Sequence, residues 1–394
     1  MEYIAYKSGT AIGKFKVRLV SPQTSGLPVI NIATTGGAPV VNKVDYVKGT
    51  LDVIDANEPD HNISGAALGI RYRGNSTLSY PKKPYRIKFD KKTSMFGYCK
   101  AKSWVLLANY LDPTLSTAAI AFEVARRLGF PNANHIIPVE VFLNGKYQGN
   151  YSFTEQGQVN EHRGDIDEEA GFLLELDDNW LDPQDITFYT DILSIPATFK
   201  TPEDESHAGV ALGKQMLNSL EAKLFGGEGG APSPEWRDLV DIPVLIAYMI
   251  IYEIAKNNEL YHPKSVFLHC PGEGQKIVFG PLWDFDWAYG YNGQGDYFTG
   301  KGAFLFPRDP GDTKAGEKFF VQFFKDPDFT AAYKARWNEV KPLLTGIDEY
   351  IRGLGEYMSL SARENDEEWK EVRKAHFGKY KDFATEIENM AVWI

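Results

Sequence analysis

The chain has 394 residues, a formal net charge of −11, 43% hydrophobic residues and 24% charged residues. That length can bury a large core in two lobes or domains, and the acidic balance argues against wholesale binding to nucleic acid or an anionic membrane. Its two cysteines, Cys99 and Cys270, are far apart and match no metal-site or redox spacing, so they read as unpaired thiols.

The first ten residues, MEYIAYKSGT, carry no basic start followed by an apolar run, so no signal peptide is expected in this chain. Residues 1–70 read as strands. Residues 14–20 have period two, 27–32 are β-rich, and Gly and Asn/Asp clusters punctuate them. The β pattern continues at 66–73, 85–89 and 104–107. Residues 114–128 then predict a helix, with Ile120, Val124 and Leu128 at helical spacing and Gly129 placed to end it. Strands are expected at 136–143, 149–154 and 171–176, the first two joined by the hairpin signal Asn144-Gly145.

From Ser206 onward the pattern is mostly helical. The apolar run 242–254 is too short to span a bilayer and contains Glu253, so it reads as a buried helix and no transmembrane segment is expected. One hairpin, 265–269 with 276–279, is embedded among the helices, and charged amphipathic helices follow from Asp328. The expected class is α+β, with a β-rich half, a helical half and a cleft between two lobes. Three parts are expected: a β-rich segment 1–64, a β-rich lobe 65–200, and a helical lobe 201–394 carrying the hairpin and an acidic loop at 265–290.

Charge is unevenly spread. Ten Lys/Arg and one acid, Asp90, lie between Arg71 and Lys102. The tandem pairs Lys82-Lys83 and Lys91-Lys92 read as solvated strand-edge lysines. Arg86 and Lys88 are two apart on one strand, so they share a face and suit a phosphate chain. Glu123 sits among apolar helix residues and needs a cation, either Arg126 or Arg127 nearby or Lys88 on the preceding strand.

The acidic counterpart is GPLWDFDWAYG, 280–290, with Asp284 and Asp286 two apart among aromatic residues. Paired carboxylates are hard ligands suited to Mg²⁺; each alone also reads as a cap on loop amides. Asn257-Asn258-Glu259 precede the same hairpin, so Glu259 and Asp284 can face one cleft, or Glu259 is an exposed loop acid. A strand lysine, a helix glutamate, an Asn/Glu loop and an Asp-Phe-Asp turn follow the logic of phosphoryl transfer. No Walker A motif and no G-x-G-x-x-G loop is present, which argues against an ordinary P-loop enzyme or standard protein kinase.

Six stretches carry a family resemblance: RYRGNSTLSYPKKPYRIKFDKK (71–92), WVLLANYLDPT (104–114), AFEVARRLG (121–129), PVEVFLNGKYQGNYSFTEQ (138–156), GFLLELD (171–177) and GPLWDFDWAYG. Together and in this order, the sequence resembles the spore coat protein H (CotH) kinase family over about residues 65–290. The resemblance implies a divergent two-lobed kinase-like fold. It also implies a secreted or surface-associated kinase that uses ATP with Mg²⁺ or Mn²⁺ to phosphorylate Ser or Thr of protein substrates. It implies Lys88 as the phosphate-positioning lysine with Glu123 as its helix partner, both converging on Asp284. Arg86, Glu175 and Leu176 would join Lys88 at the nucleotide, and Asp284, Asp286 and Asn258 would hold the metal. Glu259 falls where the family has its catalytic Asp, and Lys264 or Ser265 where an Asn ligand is expected. Those departures also admit a non-catalytic surface or coat binding protein. A glycoside hydrolase using Glu175 and Asp284 is a further alternative, supported by the 13% aromatic content, but it leaves the basic strand unexplained.

Overall fold

Alternating apolar residues build a barrel from the first half of the chain. In this computed structural model, residues 2–7, 10–16, 25–131, 133–156, 166–167, 169–178, 185–293, 295–300, 302–306, 314–376 and 382–394 are described. Strands β1 (Glu2–Lys7) and β2 (Thr10–Lys16) pair as a separate antiparallel ribbon. Then come β3 (Val29–Thr34), β4 (Val47–Ile54), β5 (Ile63–Tyr72), β6 (Tyr85–Thr93), β7 (Ala101–Leu107), β8 (Ile136–Leu143) and β9 (Lys146–Glu155). These seven close in the order β3-β4-β5-β6-β7-β9-β8, with β3 and β8 as the parallel pair. Ile70, Ile87, Phe89, Trp104, Val141 and Phe153 fill the interior. Their sequence neighbours Arg71, Arg86 and Lys88 therefore project from the outer face. The β8–β9 turn is tight because Asn144 (φ 51) and Gly145 (φ 76) both take the left-handed conformation that such hairpins require.

Helix α1 (Thr117–Arg127) leaves the barrel after β7. Asp112 holds its start, accepting from the Thr117 amide at 2.8 Å and the Thr117 hydroxyl at 2.9 Å. Its buried face belongs to the core of the second half of the molecule. That core lies between helices and a five-stranded antiparallel sheet. The sheet contains β10 (Phe172–Leu176), β11 (Thr187–Tyr189), β12 (Pro196–Thr201), β13 (Val266–Cys270) and β14 (Val278–Phe279), in the order β11-β12-β10-β13-β14. The helices are α2 (Ala208–Phe225), α3 (Ile242–Ala255), α4 (Ala315–Gln322), α5 (Pro327–Val340), α6 (Ile347–His376) and α7 (Phe383–Trp393).

Helix α6 returns to the barrel and grips β9. Trp369 Nε1 donates to the Gln148 carbonyl at 2.9 Å. Asn365 Oδ1 accepts from Lys82 Nζ at 2.8 Å and from the Asn150 amide at 3.2 Å. Lys82 is 1% exposed, so the reading of it as a solvated edge lysine is corrected: it is a buried tie between barrel and helix. Among the described residues, no helix is long and apolar enough to cross a membrane.

The α+β class and the order of β-rich and helical halves agree with the sequence. The barrel differs from the kinase-like lobe that the resemblance implies. Its closure depends on the β3–β8 pairing, which joins Val29 to Glu140 and leaves no local signature. The short strands β11 and β12 were not expected either. Residues 17–20 of the expected strand at 14–20 lie outside the described residues.

Candidate active site

Helix α3 is apolar on nearly every side, and nine of its residues from Leu245 to Ala255 are buried. Asp241 caps its start, accepting from the Val244 amide at 3.1 Å. At its end Lys256 turns left-handed (φ 47) and stops the helix. The chain then delivers Asn257 and Glu259 toward the hairpin. Asn257 is fully buried and works in two directions. Its Oδ1 accepts from the Glu259 amide at 3.1 Å, and its Nδ2 donates to the Asp284 carbonyl at 2.8 Å.

After β14 the chain turns at Gly280 (φ 129) and enters the acidic loop. Asp284 sits at φ 61, a conformation costly for a residue with a side chain, and persists because its surroundings hold it. Ser265, also left-handed at φ 48, donates its hydroxyl to Asp284 Oδ2 at 3.2 Å. Carboxylate oxygens of Glu259, Asp284 and Asp286 lie within 4.8 Å of one another.

Such crowding in a partly dry site disfavours ionisation. Burial, then Asp284, pushes the Glu259 carboxyl up to about 9, with Lys264 opposing. Burial, then Asp284, raises Asp286 well above the usual carboxylate range, and Asp286 donates a hydrogen bond to Asp284. Opposite them, burial lowers the Arg73 pKa, and Asp284 is the strongest influence raising it. The Arg73 guanidinium lies 5.3 Å from the Trp283 ring centre, and Lys264 Nζ lies 4.6 Å from that of Trp287.

These groups share an open cleft of about 370 Å³ between the barrel's outer face and the five-stranded sheet. On the sheet side Lys200 Nζ meets Glu175 at 3.1 Å. Burial raises the Glu175 pKa, with Lys200 opposing. Burial works against the Lys200 charge, but Glu175, Asp185 and Asp177 together raise the Lys200 pKa.

The structure thus brings Glu259, Asp284, Asp286, Glu175 and Arg86 to one cleft. It does not bring Lys88 and Glu123 there, so their convergence on Asp284 is corrected. Lys88 is exposed, with Nζ 6.0 Å from the Tyr46 ring centre. Glu123 pairs with Arg126 at 3.0 Å and Arg127 at 2.9 Å, the residues one helical turn away. Asn258 points away from the acids, donating to the Tyr291 carbonyl at 3.1 Å. Leu176 is buried in the core and does not line the cleft. Asn257 belonged to the expected Asn/Glu loop without a role of its own, and Arg73 and Lys200 were not expected at the site. Arg73 could have been found from its spacing of two from Arg71. Lys200 could not, because its short strand carries no period.

Among comparisons with known proteins, the family model described as CotH kinase protein matches residues 70–394. A search of curated proteins returns no match. The family match covers the barrel from β5 onward, the sheet, the acidic cluster and the C-terminal helices, and so the chain belongs to the CotH kinase protein family.

Proposed function

We propose that this chain is a protein kinase that moves the γ-phosphate of ATP, with a divalent cation, to Ser or Thr hydroxyls of a protein substrate. The observation that carries this reading is the convergence of Glu259, Asp284 and Asp286 opposite Arg73 in one cleft. The donor set fits a hard divalent cation. Three carboxylates within 4.8 Å offer oxygen ligands only, and burial, together with the neighbouring Asp284, makes two of them hold on to protons. A cation bound there supplies charge that binds phosphate oxygens and favours ionised carboxylates.

The chain's own residues do the rest by position. Asp284 and Asp286 hold the cation from a loop fixed by Asn257 and Ser265. Arg73 offers a guanidinium to the phosphates. Lys200, held by Glu175, supplies the glutamate-braced lysine that the resemblance led one to expect at Lys88 and Glu123. Glu259 orients the acceptor hydroxyl and takes its proton as oxygen bonds to the γ-phosphorus and ADP departs. Trp283 and Trp287 cover the charged groups and strengthen their fields by limiting water.

A second reading, a non-catalytic binding protein, is favoured by one feature. Glu259 is one methylene longer than the expected Asp, and a shift of about 1 Å can cost about 10²-fold in rate. Single-turnover transfer from labelled ATP to a Ser-rich acceptor separates the two. The kinase reading expects transfer by wild type, a fall of about 10²-fold or more in Glu259→Gln, and equal or higher activity in Glu259→Asp. No transfer by any form, with nucleotide binding intact by thermal shift, supports the binding protein.

A further inference from the structure

The outer face of β5 and β6 carries two arginines that the proposed transfer chemistry leaves unused; Arg86, which the resemblance placed at the nucleotide, is reassigned with Arg71 to the acceptor. In the antiparallel register Arg71 stands directly opposite Arg86. Like charges in that position are destabilising, so a fold that keeps them there gains from an anion between them. Both side chains are partly buried, and the Nε atom of each is buried without a hydrogen-bond partner. Arg86 makes no side-chain hydrogen bond or ion pair among the described residues, and burial lowers its pKa. The pair lines the same cleft as the acidic cluster but faces different groups: Asp284 is the strongest acid acting on Arg73, which also feels the Arg86 charge, whereas the groups acting on Arg86 are Tyr46, Arg71 and Glu203. Arg71 is two residues before Arg73, which directly follows β5, a span of about 7 Å in extended chain. The pair therefore lies one step outward from the phosphates, along the same wall of the cleft.

The mouth of the cleft continues this surface. Arg71 donates to the carbonyl of Val44 at 3.3 Å, holding the loop before β4 against the strand. Lys43 of that loop lines the cleft and reaches Asn75 at 2.8 Å. Val41 and Val44, at 66% and 71% exposed, stand on the same loop. A cationic pair beside exposed valines fits an extended segment with an oxyanion close to an apolar residue. A nucleotide, whose phosphates belong beside Arg73 and the acids, fits it less well.

We propose that Arg71 and Arg86 form the acceptor-recognition site, binding a carboxylate or phosphate carried by the substrate chain a few residues from the Ser or Thr that is modified. Planar guanidiniums suit both oxyanions through paired N–H donors. This proposal rests on the phosphoryl-transfer reading above, and its test keeps the two apart. Four Ser peptides differing only at flanking positions, with Asp, phosphoserine, Asn or Lys, are compared as acceptors with ATP and Mg²⁺ or Mn²⁺. Wild type is expected to favour the Asp or phosphoserine peptide, and the better of the two identifies the oxyanion.

Arg86→Gln is expected to raise KM for that peptide by about tenfold, leaving kcat and nucleotide affinity within about twofold. Arg86→Glu is expected to shift preference toward the Lys peptide, a gain that a folding defect does not produce. Equal use of all four peptides by wild type overturns the proposal, as does an equal loss of nucleotide and peptide affinity in Arg86→Gln. If wild type transfers nothing, fluorescence anisotropy of the labelled peptides decides. Acidic-peptide binding lost in Arg86→Gln keeps the recognition site while the transfer reading fails, and absence of such binding overturns the site as well.

Discussion

At the scale of single residues, Glu259 and Asp284 are the informative pair. Glu259 is 5% exposed and its carboxyl is pushed up to about 9, against 4.5 for an ordinary glutamate. A carboxyl whose folded pKa is raised favours the folded state most below pH 4.5, and that advantage is lost as pH climbs toward 9. Metal-free Glu259→Gln is therefore expected to be more stable than wild type by a margin that widens between pH 5 and 9, reaching about 5 kcal/mol near pH 8. Urea unfolding in a chelator, repeated across that range, measures it; a margin independent of pH contradicts the burial argument. Asp284→Asn removes charge with little change of shape. It is expected to abolish cation-dependent ATP binding while far-UV circular dichroism and melting stay near those of wild type. Unchanged nucleotide affinity with Mg²⁺ or Mn²⁺ present would move the cation elsewhere. The acids were legible in the sequence because carboxylates among aromatic residues demand a reason. The cations were less so. Lys88 has the same parity as Arg86 but lies further out on the barrel, and Glu123 had two arginines within one helical turn.

At the scale of elements, the β13–β14 hairpin and the end of α3 work as one piece. Asn257 joins them through bonds to Glu259 and Asp284, so its side chain sets the spacing of the acids. Asn257→Ala leaves the Asp284 carbonyl and the Glu259 amide without these partners. A loss of about 1–3 kcal/mol in stability is expected, with a larger proportional fall in kcat than in nucleotide affinity. Asn257→Asp keeps the acceptor for the Glu259 amide but not the donor for Asp284. It is expected to fall between wild type and Ala in unfolding midpoint. The hairpin was readable from its turn residues, as was the β8–β9 turn from Asn144-Gly145. Strand β12 was not, because six residues paired to β10 acquire their meaning only through the register that sets Thr198 beside Glu175.

At the scale of the whole molecule, α6 fastens the helical half to the barrel through Lys82, Asn150 and Asn365. Lys82 also lies 4.5 Å from the Tyr151 ring centre, so its charge is stabilised from more than one side. Removing one partner of a buried charge costs more than removing both. Asn365→Ala is expected to lose about 2–4 kcal/mol by denaturant unfolding, and Lys82→Met combined with Asn365→Leu to recover part of that loss. Strict additivity of the two changes would contradict a shared network. This contact links residues 283 apart in sequence, and no local pattern announces it.

Seen across both halves, the acids and the arginines of the cleft differ in origin. Glu259, Asp284 and Asp286 follow α3 and the hairpin, with Lys200 and Lys264 as the cations on that side, while Arg71, Arg73 and Arg86 come from the barrel wall. The two halves are thus the plates of a capacitor, with the cleft as the gap. On the proposed kinase reading, a triphosphate with its cation would insert alternating sign between the plates, so the spacing would be tied to what fills it. Added salt without nucleotide is expected to weaken the attraction between the plates and widen the gap. Scattering or a fluorophore pair across the cleft would register that change, and nucleotide with cation would reverse it.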